Sequence, residues 1–139
     1  MAHVEVRDRI AASPDRVWEL VRDFGGLQRW AAGIESVSVA GEGVGAVRTV
    51  TMPGGLALQE RLEACDDRAH TLSYAIVGDH PLPFDGYVAT IRLAPDGDGC
   101  RIDWSSRFTP RPGADGQAAG LVEAIYRGGI AGLKKALGA

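Results

Sequence analysis

The segment Leu58-Gln59-Glu60-Arg61-Leu62-Glu63 alternates so that Leu58, Glu60 and Leu62 fall on one face of a strand. A carboxylate on an apolar face is desolvated, which raises its pKa unless a donor pairs with it. Such a group can work as a general acid or base, or hold a ligand hydroxyl. Two other readings stay open: an ion pair with an arginine such as Arg48, or a bulge that turns Glu60 outward. Further along, Tyr87, Ala89, Ile91 and Leu93 point one way and Arg92 the other, which sets the Tyr87 phenol on an inner wall as a hydrogen-bond donor. His80, between Asp79 and Pro81 on a loop, is of a type that shuttles protons near neutrality, and Asp85 follows it on the same loop. Glu60, Tyr87 and His80 are therefore the candidates for proton transfer, with Glu60 as the acid or base and the other two as supporting donors.

The surrounding walls are read from the same alternation. Trp30, Val47, Leu58, Tyr74, Trp104, Leu121, Ile125 and Gly129 are candidates to line a ligand site, with Asp85 at its edge. For Trp30, Tyr74 and Trp104 the competing role is plain core packing. Ile102, Trp104 and Phe108 share a face opposite Arg101, Asp103 and Arg107, so Asp103 is expected outside, because burying an Arg-Asp-Arg face is costly. His3, His70, Cys65 and Cys100 lack metal-ligand spacing, so neither a metal nor another cofactor is expected. The only lysines, Lys134 and Lys135, stand at the end of the chain, which argues against a Schiff base in the core. No G-x-S-x-G elbow, Walker loop or Cys-x-x-Cys pair occurs. Gly41-Glu42-Gly43-Val44-Gly45 looks like a phosphate loop, but a Val-Arg-Thr-Val strand follows it and a hairpin turn is expected.

These residues need a scaffold, and the chain signals one. Strands are predicted at 4–10, 34–40, 46–52, 58–65, 71–77, 87–94 and 100–108, separated by Gly-, Asp- and Pro-rich turns. Ser13-Pro14-Asp15 opens a helix as N-cap, first helical residue and dipole-favoured acid; Arg16 leaves the capping box incomplete. Val17, Trp18, Leu20, Val21 and Phe24 give it an apolar face, Gly25-Gly26 end it, and a short helical piece is expected at 27–32. A long helix is predicted at about 115–137, with Leu121, Ile125, Leu133 and Leu137 on one face. With one helix long enough to cover it, the sheet must curl to bury its inner face. The expected fold is α+β: a curved, antiparallel, seven-stranded sheet wrapped around a long C-terminal helix as a helix-grip cup, with two short helices after strand 1. Gly128, Gly129 and Gly132 inside that helix each cost ~1 kcal/mol relative to Ala. They serve either close helix–sheet packing or room for a ligand.

At 139 residues, with 45% apolar residues and a net charge of −3, the chain fits one domain over 1–139. The charge gives no reason to expect nucleic acid or an anionic membrane, and no apolar run approaches the ~18 residues of a spanning helix. Two cysteines are too few for a disulfide framework, so reduced thiols and a cytoplasmic location are expected, as monomer or homodimer.

Ala12-Ser13-Pro14-Asp15-Arg16-Val17-Trp18 followed by Val21-Arg22-Asp23-Phe24 resembles the opening of the START-like, birch-pollen-allergen-type (SRPBCC) superfamily. Within it, the polyketide cyclase/dehydrase and lipid-transport family is most similar. Gly43-Val44-Gly45-Ala46-Val47-Arg48, Glu60-Arg61-Leu62 with Asp66-Asp67, and the ending Tyr126-Arg127-Gly128-Gly129-Ile130-Ala131-Gly132-Leu133 continue the likeness over nearly the whole chain. The resemblance implies a cavity between sheet and C-terminal helix, with the Glu60 position facing it. It implies as partner a hydrophobic, polycyclic or polyketide-like small molecule. An enzyme of this kind would catalyse cofactor-free cyclisation, dehydration or aromatisation; the alternative is a non-catalytic carrier or sensor of a lipid or quinone. A third option is a partner-binding subunit with a vestigial cavity. The loops are also similar to those of the plant abscisic-acid receptors of the superfamily, which makes Pro53, Gly54, Gly55 and Leu56 a gate and the stretch from Gly78 to Leu82 a latch. The receptors' carboxylate-binding lysine corresponds to Ala31 and their latch arginine to Pro81, so the likeness does not extend to hormone recognition.

Overall fold

A computed structural model describes all 139 residues. Strand β1 (Ala2–Ile10) leads into helix α1 (Pro14–Arg22) and a 3-10 segment (Phe24–Arg29), then β2 (Ser36–Ala40), β3 (Val47–Thr51), β4 (Ala57–Asp66), β5 (Thr71–Val77), β6 (Phe84–Asp96), β7 (Gly99–Pro110) and helix α2 (Asp115–Leu137). All strand pairs are antiparallel, in the order β1-β7-β6-β5-β4-β3-β2, so the first strand closes the far edge beside the last. This is the expected helix-grip architecture. No helix is long and apolar enough to cross a membrane.

Local chemistry explains the elements. Ser13 Oγ accepts from the Arg16 amide at 3.3 Å, Pro14 occupies the first turn, and Val17, Trp18, Leu20 and Val21 are buried. Asp67, in the β4–β5 turn, accepts from Trp18 Nε1 at 2.8 Å and from Arg22 Nε at 2.9 Å, which ties α1 to that turn. These two donors hold the Asp67 carboxyl below the usual carboxylate range. Strand β6 begins at Phe84, three residues before the predicted start. Its register against β7 shifts between Asp85 and Val88, where Gly86 takes φ +67°, so a bulge extends the strand through a stretch that reads as loop.

The face of α2 differs from the predicted one. Its buried residues are Ala118, Val122, Tyr126, Gly129, Ile130 and Leu133, while Ile125 is 47% exposed. The stripe lies about one residue round from Leu121 and Ile125, because small side chains and a tyrosine occupy the positions nearest the sheet. The glycines in this helix divide their roles. A Cβ on Gly129 would fall 2.6 Å from Trp104 Cζ3, and one on Gly132 would collide with the Trp30 carbonyl oxygen. Both serve close packing. Gly128 has open space beside it and lines the cavity described next.

Candidate functional site

Between the sheet and α2 lies a cavity of about 490 Å³, and 22 of its 26 lining residues are apolar. That is the size and character of a small-molecule site. Arg48 and Glu60 are its only charged lining residues, and the hydroxyls come from Tyr74 and Tyr87. No Ser, Thr, Cys, Lys or His lines it, so the cavity holds none of the usual alcohol, thiol, amine or imidazole nucleophiles.

Arg48 on β3 and Glu60 on β4 face each other in the strand register. Arg48 Nε donates to Glu60 Oε1 at 2.8 Å, with the two side chains 7% and 13% exposed. Arg48 Nη1 also donates to the Phe24 carbonyl at 3.1 Å. The guanidinium carbon lies 4.0 Å from the Phe24 ring centroid and 5.3 Å from that of Tyr74. Of the readings open for Glu60, the ion pair with Arg48 is the one found. The Glu60 carboxylate therefore stands in the cavity beside a guanidinium counter-ion rather than alone.

Beside this pair runs a buried row of phenols. The Tyr87 hydroxyl bonds to that of Tyr126, and it lies 3.4 Å from the Tyr74 hydroxyl. Trp104 Nε1 donates to Tyr74 Oη at 3.3 Å. The Trp104 ring stacks on Tyr126 with centroids 4.4 Å apart, and Trp30 meets Trp104 edge-on at 6.0 Å. Burial pushes the Tyr126 phenol up to about 12. It drives Tyr74 and Tyr87 well above the usual tyrosine range, reinforced by the neighbouring phenols. At neutral pH all three are therefore protonated donors, able to stabilise developing negative charge and unable to act as bases.

The sequence-derived candidates separate. Glu60, Tyr87, Trp30, Leu58, Tyr74, Trp104, Leu121, Ile125 and Gly129 all line the cavity. Val47 does not: it alternates with Arg48 and Val50, which face inward, so its side chain lies on the outer face. His80 is also outside the lining. Its Nδ1 accepts from the Leu82 amide at 3.2 Å, and its Nε2 lies 3.9 Å from Asp85 Oδ1. Asp85 is exposed and takes two bonds from Arg111 at 3.1 and 3.0 Å, while Arg111 also donates to the His80 carbonyl. This cluster fastens the β5–β6 loop to the segment after β7 and brings no proton donor to the cavity. At the gate turn Pro53, Gly54 and Gly55 are exposed, with both glycines at positive φ; Leu56 lines the cavity and its carbonyl accepts from the Met52 amide. Asp103 points outward and pairs with Arg7 at 3.1 Å, as the alternation implies.

Two functional groups escape the sequence reading. Arg48 figures there as a partner for Glu60 and in a resemblance motif, never as a site residue, yet it lines the cavity. Tyr126 figures there only in the motif that carries the resemblance, although its spacing of four from both Val122 and Ile130 marks the inner stripe of α2.

The comparisons fit this geometry. A family model described as polyketide cyclase / dehydrase and lipid transport matches residues 1–138. The protein XoxI from Bacillus cereus is 32% identical, with a TM-score of 0.88 over 98% of this chain and 95% of that one. An uncharacterised protein from Bacillus thuringiensis is 31% identical, with a TM-score of 0.87 over 97% and 98%. Norcoclaurine synthase from Thalictrum flavum, solved with dopamine and hydroxybenzaldehyde, is 20% identical with a TM-score of 0.75 over 98% and 86%, a likeness of fold. The chain belongs to the polyketide cyclase/dehydrase and lipid transport family.

Proposed function

We propose that the cavity takes a hydrophobic, polycyclic or polyketide-like small molecule. Glu60 then acts on it as acid/base in a cofactor-free cyclisation, dehydration or aromatisation. The observation that carries this reading is the polar inventory of an otherwise apolar cavity of about 490 Å³: one carboxylate, its guanidinium and a row of protonated phenols. The apolar walls fold and orient the substrate, which lowers the entropic part of the barrier. Glu60 accepts a proton, while Tyr87 donates toward the oxygen on which charge develops. His80 has no part in this scheme.

A second reading, a non-catalytic carrier or sensor of a lipid or quinone, is favoured by the Arg48–Glu60 pair itself. The guanidinium already occupies Glu60 Oε1, so the carboxylate has a partner without any reacting group. Native mass spectrometry of the purified protein, with identification of any retained compound, separates the two. A stoichiometric lipid or quinone supports the carrier. A bound aromatic or polyketide-like compound supports the enzyme and supplies the substrate on which Glu60→Gln is assayed. Unchanged turnover and affinity in Glu60→Gln would remove Glu60 from the mechanism.

A further inference from the structure

The hydrogen-bonding capacity of the buried pair is not used up within the protein. A guanidinium carries five N–H donors and a carboxylate accepts at two oxygens. Arg48 uses Nε on Glu60 and Nη1 on the Phe24 carbonyl; Nη2 has no partner, and neither does Glu60 Oε2. The buried side-chain polar atoms sealed off without a partner are Trp30 Nε1, Asp103 Oδ1 and Ser106 Oγ, so Nη2 and Oε2 are not sealed. Both residues line the cavity, which is the space a ligand would share with them. The guanidinium is also held by its contact over the Phe24 ring, with the Tyr74 ring near it and the Phe24 carbonyl on Nη1, which preorganises it.

Charge narrows the ligand further. Arg48 and Glu60 cancel, and no other charged residue lines the cavity. A carboxylate ligand would leave one negative charge uncompensated in an apolar enclosure, and an ammonium ligand one positive charge; both are costly. A neutral head that offers one acceptor and one donor side by side meets Nη2 and Oε2 together and leaves the charges balanced. We infer that the ligand is a neutral, largely apolar molecule with a hydroxyl beside a carbonyl, the carbonyl taking a hydrogen bond from Arg48 and the hydroxyl giving one to Glu60. The inference rests on the cavity-binding reading above. It sets a hydroxy ketone apart from a free fatty acid or any other apolar acid.

Three probes with one skeleton test it by calorimetric titration at neutral pH: 3-hydroxyflavone, flavone and flavone-6-carboxylic acid. The hydroxy ketone is expected to bind at least about tenfold more tightly than either of the others, the scale of hydrogen bonds to charged groups. In the volume-conserving double variant Arg48→Met/Glu60→Leu that preference is expected to collapse to about twofold or less. If that variant does not fold, the ratio among the three probes on the native chain decides alone. Equal affinities, or tightest binding of the carboxylate, would overturn the inference and leave the cavity-binding reading standing. Failure of all three probes to bind would count against the cavity-binding reading itself, and with it the inference.

Discussion

The chain contains three tyrosines, and all three hydroxyls belong to the buried row behind the cavity. Tyrosinate absorbance therefore reports on this row and on nothing else in the molecule. In the unfolded chain each phenol titrates near pH 10. In the folded chain burial holds Tyr126 at about 12, and Tyr74 and Tyr87 lie well above the usual value. The sign follows from the protonated form being the one the fold prefers. Below about pH 10 both states are protonated and the stability is fully present. Above it the unfolded chain releases protons that the folded chain keeps, so stability falls as pH rises. Each retained proton costs about 1.4 kcal/mol per pH unit.

For Tyr126 alone, a rise from 10.0 to about 12 amounts to a loss of about 2 kcal/mol by pH 12. With all three phenols the slope approaches about 4 kcal/mol per pH unit. Against a typical domain stability of about 5–15 kcal/mol, cooperative unfolding sets in from about pH 11 upward. The assay is a paired titration of tyrosinate absorbance and circular dichroism. No tyrosinate should form while the native spectrum persists, and both signals should then change together. In urea the same absorbance should titrate near pH 10. Tyr126→Phe keeps the ring stacked on Trp104 and removes one proton, so it should flatten the alkaline slope by about a third. Tyrosinate rising near pH 10 with the native spectrum intact would mean that the hydroxyls reach water, and would refute the buried row.

Two further perturbations test the packing around the site. Arg48→Met leaves the Glu60 carboxylate buried without its counter-ion, an expected loss of about 3–5 kcal/mol. That corresponds to about 10–15 °C in melting temperature for a chain of this size. Arg48→Met/Glu60→Leu should recover most of the loss, and strictly additive single effects would mean that the pair is not coupled. In α2, Gly128→Ala adds a Cβ in open space and should stabilise by about 1 kcal/mol through helix propensity. Gly132→Ala forces the helix off the Trp30 carbonyl and should destabilise by about 1–3 kcal/mol; equal effects in thermal melts would show that the helix does not press on the Trp30 backbone.

How far the site is legible in the sequence depends on whether polarity alternates cleanly. In β4, β6 and β7 it does, and the inner residues Leu58, Glu60, Tyr87 and Trp104 are placed from the pattern alone. In β3 it does not. Val47-Arg48-Thr49-Val50-Thr51 has its valines three apart, on opposite faces, so hydrophobicity cannot choose the inner one. The choice is settled by Glu60 across the sheet, which brings Arg48 inside, a pairing visible only once the register of β3 and β4 is known. In α2 the largest aliphatic residues, Leu121 and Ile125, draw the eye one position away from the true contact stripe of Ala118, Val122 and Tyr126. They keep their apolar character because they border the cavity instead of the packed core. The loop around His80 has no period at all, and only its bonds to Leu82 and Arg111 show that it is a fastening.

The envelope and the chemistry of the cavity therefore come from different parts of the sequence. Gly129 and Gly132 let α2 settle against Trp104 and Trp30, while Gly128, exposed and with open space beside it, borders the cavity. The shape of the cavity is set by this packing of helix on sheet. It depends on backbone approach and aromatic bulk, not on any reactive group. The chemistry depends on one cross-strand position between β3 and β4 and on two tyrosines on β5 and β6. Those few side chains set the polar character of the cavity, while the helix–sheet packing sets its shape. Norcoclaurine synthase, at 20% identity, thus shares the fold at a TM-score of 0.75, and a likeness of fold leaves the chemistry of the lining to be read from each chain. Here the polar lining is two tyrosines and an ion pair in which Arg48 Nη2 and Glu60 Oε2 have no partner within the protein.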